Sequence, residues 1–204
     1  MSIDKIDFID AKSIGIFLYY YEHDLNIISK FQDYKRDKNH TFLKFFILYL
    51  NEYKVARNFI KNQAQTLLNL TLDWISGDTP DDVYGFSEYL KNNKITHEKK
   101  AISLSSKILM LNNSAVIFPI DGLVKKHFKI YYKKKIEDNY YENYLLRVRT
   151  FENEHRIEIE AQLNILKIYT DSIEKKYLII NIEQVRKNRF LDKILWTSGK
   201  YTKN

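Results

Sequence analysis

The sequence contains no cysteine among its 204 residues. That absence excludes disulfides, thiolate zinc sites, iron–sulfur clusters held by cysteine, and cysteine nucleophiles. A chain without thiols is compatible with a reducing compartment, and we expect a cytoplasmic protein. Glycine and proline are also scarce, at five and two residues. Because all-β proteins with many tight turns use more of both, this scarcity favours helices.

Long apolar runs and familiar ligand motifs are missing as well. The most apolar stretch, Phe42 to Leu50, is short and contains Lys44, and the N-terminal MSIDKIDFID is acidic and interrupted by charge. We therefore expect neither a signal peptide nor a membrane partner. Glycine-rich phosphate loops and the G-x-S-x-G motif are absent, and the five histidines do not pair at metal-ligand spacing. The sequence predicts no metal and no cofactor.

Apolar and basic residues are what the chain has in quantity. Hydrophobic residues make up 45% of it and aromatic residues 15%, so a sizeable core can form. The length suits a single helical domain over residues 1–204, or two intimately packed helical subdomains. A formal net charge of +7 indicates an anionic partner, most commonly nucleic acid.

Apolar residues recur at helical spacing along most of the chain, which predicts a compact all-α domain. The helix from Thr41 is apolar on nearly every side, as is typical of a helix buried in the core. Gly77 and the pair Thr79-Pro80 mark the end of one helix and the start of the next. The segment Lys176–Ile182 can be a strand or a helix turn, and the predicted fold allows one short strand or hairpin. The predicted helices cover residues 8–21, 41–53, 54–76, 80–91, 96–111, 122–135, 140–169 and 182–196, with a polar connector at 31–40 and a buried extended connector at 115–120.

A lysine, a buried connector and an aspartate that opens a basic helix follow one another in the run SLSSKILMLNNSAVIFPIDGLVKKHF. This order resembles the helix–hairpin–helix DNA glycosylase superfamily, particularly its 8-oxoguanine DNA glycosylase branch, where a Val/Ile-Asp pair opens the helix as Ile120-Asp121 does here. The C-terminal FLDKILWTSGK is similar to the closing helix of small glycosylase-like proteins. The hairpin that is glycine-rich in that family corresponds here to HEKKAISLSS, which contains no glycine.

The resemblance implies a DNA glycosylase acting on a flipped-out base, in DNA repair or in bacterial defence against phage. Asp121 then takes the place of the catalytic aspartate near the extruded nucleoside, and Lys107 or Lys100 that of the lysine that attacks the sugar carbon C1′. The residues also allow a structural interpretation. Aspartate is a favoured N-cap, and a lysine on an amphipathic helix usually faces solvent.

Six lysines lie in the segment KKHFKIYYKKK, directly after the predicted N-cap. Three of them recur at i, i+4 and i+8 and therefore share one helix face. Such a stripe can neutralise phosphates. The glycosylase resemblance implies that the partner is DNA rather than RNA. The aromatic residues of the same segment either stack on bases or face the core, and the core is favoured. The predicted nucleic-acid contacts are Lys125, Lys126, Lys129 and Lys133.

Two other functions fit the sequence. Arg149 and His155 in RTFENEH resemble the R-x4–6-H motif of HEPN ribonucleases, in which helices from two subunits bring an arginine and a histidine to one RNA phosphate. That alternative requires a dimer. A charged helix face with i,i+4 pairs accounts for the same two residues without catalysis. The third hypothesis is a non-catalytic helical protein that binds nucleic acid or another partner.

Overall fold

A computed structural model describes residues 11–38, 41–131 and 141–201. Within these residues the chain forms nine α-helices, one short 3-10 helix and no strand, which confirms the predicted all-α class. None of the described helices combines the length and the apolar character needed to cross a bilayer. The helices are α1 (Ala11–Asp37), α2 (Phe42–Glu52), α3 (Ala64–Ile75), α4 (Val83–Asn92), α5 (Ile102–Asn112), α6 (Gly122–Tyr131), α7 (Tyr141–Glu154), α8 (Arg156–Glu174) and α9 (Ile182–Tyr201), and the 3-10 helix is Ala56–Asn58.

The chain divides into two compact units. The terminal unit takes its described residues from Met1–Leu25, Asp121–Asp138 and Glu142–Asn204, and the central unit from Asn26–Ile120 and Asn139–Tyr141. Helix α1 contributes its first part to the terminal unit and the remainder to the central unit. Along the sequence, the central unit is therefore an insertion within the terminal unit.

Helix α5 is the core of the central unit, since every residue from Leu104 to Leu111 is buried. Two of its serines bind the connector that follows the helix, and Ser103 Oγ donates to the carbonyl oxygen of Ile120 at 3.1 Å. Ser106 Oγ accepts a hydrogen bond from the backbone N–H of Ile120 at 3.0 Å. We predicted α2 as the helix buried on all sides, and this is wrong, because several of its large apolar side chains are exposed. These are Phe45, Ile47 and Leu48.

Helices α6 and α9 approach closely in the terminal unit. A Cβ atom on Gly199 would lie 1.9 Å from the carbonyl oxygen of Leu123, so the approach requires a glycine there. We predicted that the last helix ends at residue 196, but α9 continues to Tyr201. Helix α1 joins this core through Phe17, whose ring meets that of Phe190 edge-on at 5.2 Å.

Helix α1 extends well beyond the predicted segment. Residues 31–37, predicted as part of a polar connector, are helical. Phe31 and Tyr34 are buried and continue the apolar face, while Asp33 and Arg36 are exposed. Because charged residues dominate this stretch, its two buried apolar residues did not stand out in the sequence as a helical pattern.

Residues 54–63 do not begin a long helix as predicted, because α3 starts at Ala64. Helix α2 ends at Glu52, and Lys54 adopts a left-handed conformation with φ of 56°. Two backbone hydrogen bonds close the helix end: Lys54 N–H donates to Asn51 O, and Val55 N–H donates to Leu50 O. This is a Schellman motif, which normally carries glycine at the left-handed position. Lysine in that place gave no stop signal in the sequence.

Two predicted helix starts are shifted. Asp82, rather than Thr79, caps α4, and its carboxylate accepts from the backbone N–H of Gly85 at 2.8 Å. Helix α5 begins at Ile102 instead of at Thr96, whose hydroxyl donates to the carbonyl of Lys99 at 2.6 Å. Thr96 therefore stabilises a turn that precedes the helix.

The predicted helix 140–169 is interrupted at His155, where φ is −114°, and forms α7 and α8. Its first residue, Tyr140, lies outside the described residues, as do residues 132–135 of the predicted lysine-rich helix. No strand occurs between residues 176 and 182. The connector at 115–120 is confirmed as non-helical and buried from Ile117 onward. The hydroxyl of Tyr141 accepts from Phe118 N–H at 3.0 Å and donates to its carbonyl at 2.9 Å.

Candidate nucleic-acid interface

Asp121 stands at the start of α6 in the terminal unit. Its Oδ1 accepts a hydrogen bond from the backbone N–H of Leu123 at 2.8 Å, and its carbonyl accepts from Lys125 N–H at 3.0 Å. The carboxylate thus satisfies one of the amides that a helix N-terminus leaves open. Asp121 has the structural role of an N-cap, and its catalytic role stays a prediction.

Lys107 lies in the core of the central unit, so the alternative of a solvent-facing lysine is wrong. Its Nζ donates to the carbonyl oxygen of Tyr53 at 3.0 Å, and its own carbonyl accepts from the Tyr49 hydroxyl at 2.6 Å. Tyr53 is the C-cap of α2, where a cation complements the helix dipole. The buried ammonium group therefore has a structural explanation that requires no substrate.

Lys100 is half-buried and is engaged by α4. Its Nζ contacts the Tyr84 hydroxyl and lies 3.4 Å from Glu88 Oε1. The hydrogen bond to Tyr84, with a further contribution from Glu88, raises the pKa of Lys100 above its ordinary value. A nucleophilic lysine needs the opposite shift. Both candidate lysines belong to the central unit and Asp121 to the terminal unit, so their meeting in one site stays a prediction.

The predicted lysine stripe on α6 is partly accessible. Lys129 is exposed, Lys125 and Lys126 are half-buried, and Lys133 lies outside the described residues. Phe128 is fully buried, as the core interpretation of the aromatic residues expects. Phosphate contact by the lysines stays a prediction.

Arg149 and His155 have different partners. Arg149 Nη1 donates to Glu152 at 2.7 Å and to Asn188 Oδ1 of α9 at 3.2 Å. His155 Nε2 lies 3.0 Å from the Tyr131 hydroxyl of α6. Burial alone raises the pKa of Glu152, but hydrogen bonds from Lys187 and Arg149 hold that pKa below its ordinary value. The ion-paired helix face accounts for Arg149, and joint action of the two residues on RNA stays a prediction.

Two loops of the central unit form a basic surface that the sequence did not indicate. One joins α2 to α3 and the other joins α4 to α5. A backbone hydrogen bond from Ile60 N–H to Ile95 O, 2.8 Å long, holds them together. Lys61 and Lys94 flank this bond, and both are exposed. We call residues 53–63 and 93–101 the two-loop surface.

Charge in the two-loop surface is strongly one-sided. It contains one acidic residue, Glu98, which is exposed. It contains six basic residues, and all of them are exposed except the half-buried Lys100. These two loops therefore hold most of the formal net charge of +7. The basic residues are Lys54, Arg57, Lys61, Lys94, Lys99 and Lys100.

Lysine occupies the left-handed position at the end of both helices that lead into these loops. Lys94 follows α4 with φ of 58°, and its N–H donates to Lys91 O while Ile95 N–H donates to Leu90 O. The arrangement repeats that of Lys54 after α2. A side chain in this conformation costs about 1 kcal/mol relative to glycine. Lys38, exposed after α1, also has a positive φ, so the conformation marks helix ends and is not confined to these two loops.

A buried ionic cluster lies elsewhere, in the terminal unit. Glu174 accepts two hydrogen bonds from Arg186 and one from the Tyr21 hydroxyl, each 2.6 Å long. Desolvation and the neighbouring carboxylate raise the pKa of Tyr21, and that carboxylate raises the pKa of Arg186. Separately, Lys193 Nζ lies 3.4 Å from Asp24, which is fully buried. These pairs join α1, α8 and α9 and are structural.

His127 is buried where α6 meets α9, and its Nδ1 lies 2.8 Å from Ser198 Oγ. The ring stacks on Tyr131 with centroids 5.5 Å apart. Burial, with a smaller contribution from the charge of His155, lowers the pKa of His127 to about 4. The imidazole is therefore neutral near pH 7, which suits a packed aromatic cluster.

Comparisons with protein-family models, with curated proteins and with solved structures find no match to this chain. Among the described residues, no three His, Asp or Glu side chains come together as potential metal ligands.

Proposed function

We propose that this protein binds nucleic acid through the phosphate backbone, using the two-loop surface of the central unit. One observation carries the proposal: two loops joined by a backbone hydrogen bond contain six basic residues and only one acidic residue. Cationic side chains on loops that a rigid helical scaffold holds in place suit contact with an anionic polymer. We expect DNA to be preferred over RNA, and the lysines of α6 to add affinity.

The salt dependence of binding tests this proposal. On duplex DNA, log Kobs should fall with log[salt] with a slope of about −0.9 per neutralised phosphate, so five to six contacts give a slope of roughly −5. A triple variant, Lys54→Gln with Lys61→Gln and Lys94→Gln, should make this slope shallower by about 2 to 3. Fluorescence anisotropy with labelled duplex DNA, single-stranded DNA and RNA measures the slope and the preference together.

A control variant with the same loss of charge separates site from composition. Arg36→Gln, Lys38→Gln and Lys44→Gln remove three exposed charges of the central unit outside the two loops. The proposal requires the salt slope of this variant to differ from that of the wild-type protein by no more than about 0.9, the contribution of one phosphate. Equal losses in both triple variants would show that net charge alone drives binding, and the two-loop surface would lose its role.

Base excision by Asp121 with Lys107 or Lys100 is a further prediction, and it can be tested independently. Asn caps a helix about as well as Asp, so Asp121→Asn removes the carboxylate while keeping α6 intact. Borohydride trapping with lesion-bearing duplexes should capture a lysine adduct if excision proceeds through a Schiff base. The binding proposal alone expects salt-sensitive binding without an adduct. An adduct that Lys100→Gln or Lys107→Gln abolishes would establish the glycosylase.

A further inference from the structure

Helix α8 is apolar on two opposite faces. Ile159, Leu163 and Leu166 form the buried face. Ile157, Ile165 and Ile168 are 76%, 60% and 80% exposed, and together with Ala161 they project from the helix within an arc of about 80°. At 3.6 residues per turn this second face points away from the first. An apolar stripe along α8 therefore lies in solvent.

Single exposed apolar residues are common on protein surfaces, but a row along one helix face is not. Three β-branched isoleucines within twelve residues also form helix less readily than the Lys, Glu or Gln usual at exposed positions. At each of these positions, isoleucine is therefore less favourable than a polar residue both for helix formation and for contact with water. Burial against a partner would offset it.

Charges beside the stripe indicate what that partner is. Arg156, Glu158 and Glu160 give its N-terminal half a net negative charge. Beyond the Lys167–Asp171 ion pair, its C-terminal end carries Lys175 and Lys176, of which Lys176 also pairs with Glu22. In an antiparallel pair of identical helices, the acidic end of one copy faces the basic end of the other. A parallel pair would place like charges together, which is destabilising. The net charges of the two ends are therefore complementary in the antiparallel orientation.

We propose that two copies of this protein associate through α8 in an antiparallel, two-fold symmetric contact. Symmetric pairing of identical surfaces is the commonest mode of association between soluble chains. Ala161 leaves room for a larger side chain of the opposite copy, such as Ile168, near the centre of the contact. The 19 residues of α8 span about 28 Å, so the interface is smaller than the roughly 800 Å² per partner of a standard complex. The dimer should accordingly dissociate in the micromolar range.

Analytical ultracentrifugation measures the association directly. Near about 100 µM the mass of the wild-type protein should approach twice 24.6 kDa, and it should fall to the monomer value on dilution. Ile168→Glu should raise the dissociation constant at least tenfold, because it places a charge in the apolar contact. Val116→Glu, at another exposed β-branched residue, should leave the constant unchanged. A wild-type protein that stays monomeric at this concentration overturns the proposal.

Engineered cysteines report the orientation, since the chain has none of its own. Ile165→Cys, near the two-fold axis, should form a disulfide-linked dimer on mild oxidation. Ile157→Cys alone should not, because its two copies would be separated by about 24 Å, beyond disulfide reach. A mixture of Ile157→Cys with Ser172→Cys should form the mixed dimer. Cross-linking of Ile157→Cys to itself would indicate a parallel pair and refute the antiparallel contact.

Discussion

Removal of the buried carboxylate of Glu174 should destabilise the terminal unit more than any exposed charge change on the same helix. In the Glu174→Gln variant, Arg186 loses its counter-charge in a site where both side chains are only 8% exposed. The new amide also presents N–H donors where two Arg186 donors and the Tyr21 hydroxyl now find acceptors. Breaking a buried ion pair by removing one partner costs about 3 to 5 kcal/mol. Asp171, 3.5 Å from Arg186 Nη2, compensates in part, so we expect about 3 kcal/mol.

Urea unfolding followed by far-UV circular dichroism measures this loss, and a thermal scan should show a fall in Tm of roughly 6 to 12 °C. Asp171→Asn is the matched control, because it removes a more exposed carboxylate of α8 near the same arginine and should cost much less. Combining Glu174→Gln with Arg186→Met should destabilise by less than the sum of the single changes, since no unpaired charge remains. If Glu174→Gln and Asp171→Asn cost the same, the assignment of the buried pair as a structural element is wrong.

Three further predictions concern His127, two glycines and Lys94. The pKa of His127 is about 4 in the folded protein and about 6.5 in the unfolded chain. Between these pH values the unfolded chain binds more protons than the folded protein. The free energy of unfolding should therefore fall as the pH drops from 7 to 4, by up to about 3 kcal/mol. Chemical denaturation across this range should show a smaller fall in His127→Gln and an unchanged one in His97→Gln, an exposed site. Gly199→Ala should cost about 3 kcal/mol or more through the clash with Leu123 O, whereas Gly15→Ala, with open space around its Cβ, should stabilise α1 by about 0.5 to 1 kcal/mol. Lys94→Gly should raise the free energy of unfolding by about 0.5 to 1 kcal/mol and should weaken DNA binding. If the variant loses both stability and DNA affinity, the idea that this strained lysine is retained for its charge is wrong.

Helical class followed from composition and periodicity, because buried residues such as Phe17 and Tyr21 on α1, or Phe86 and Leu90 on α4, recur at the spacing of one helix face. Helix ends were harder to predict. Lys54 and Lys94 stop α2 and α4 in a conformation that glycine normally marks, so the sequence offered no signal. His155 divides two helices without any breaker residue.

Single residues of the candidate site were predicted less well than the fold. An aspartate before a helix is recognisable as a cap, and Asp121 was recognised as one possible cap in this way. The burial of Lys107 depends on Tyr53, which is 54 residues away in sequence and becomes its partner only through tertiary packing. The two-loop surface likewise arises from a backbone contact between Ile60 and Ile95, and no local pattern encodes it.

The insertion of the central unit within the terminal unit sets an order on biosynthesis. As the chain leaves the ribosome, residues 26–120 emerge as a nearly continuous block that can condense at once. The first part of α1 must wait, because Phe190 and Glu174, which contact Phe17 and Tyr21, lie at least 153 residues later in the chain. Truncation after α5 should therefore leave an N-terminal stretch of apolar helix without its cover, prone to capture by chaperones or to aggregation.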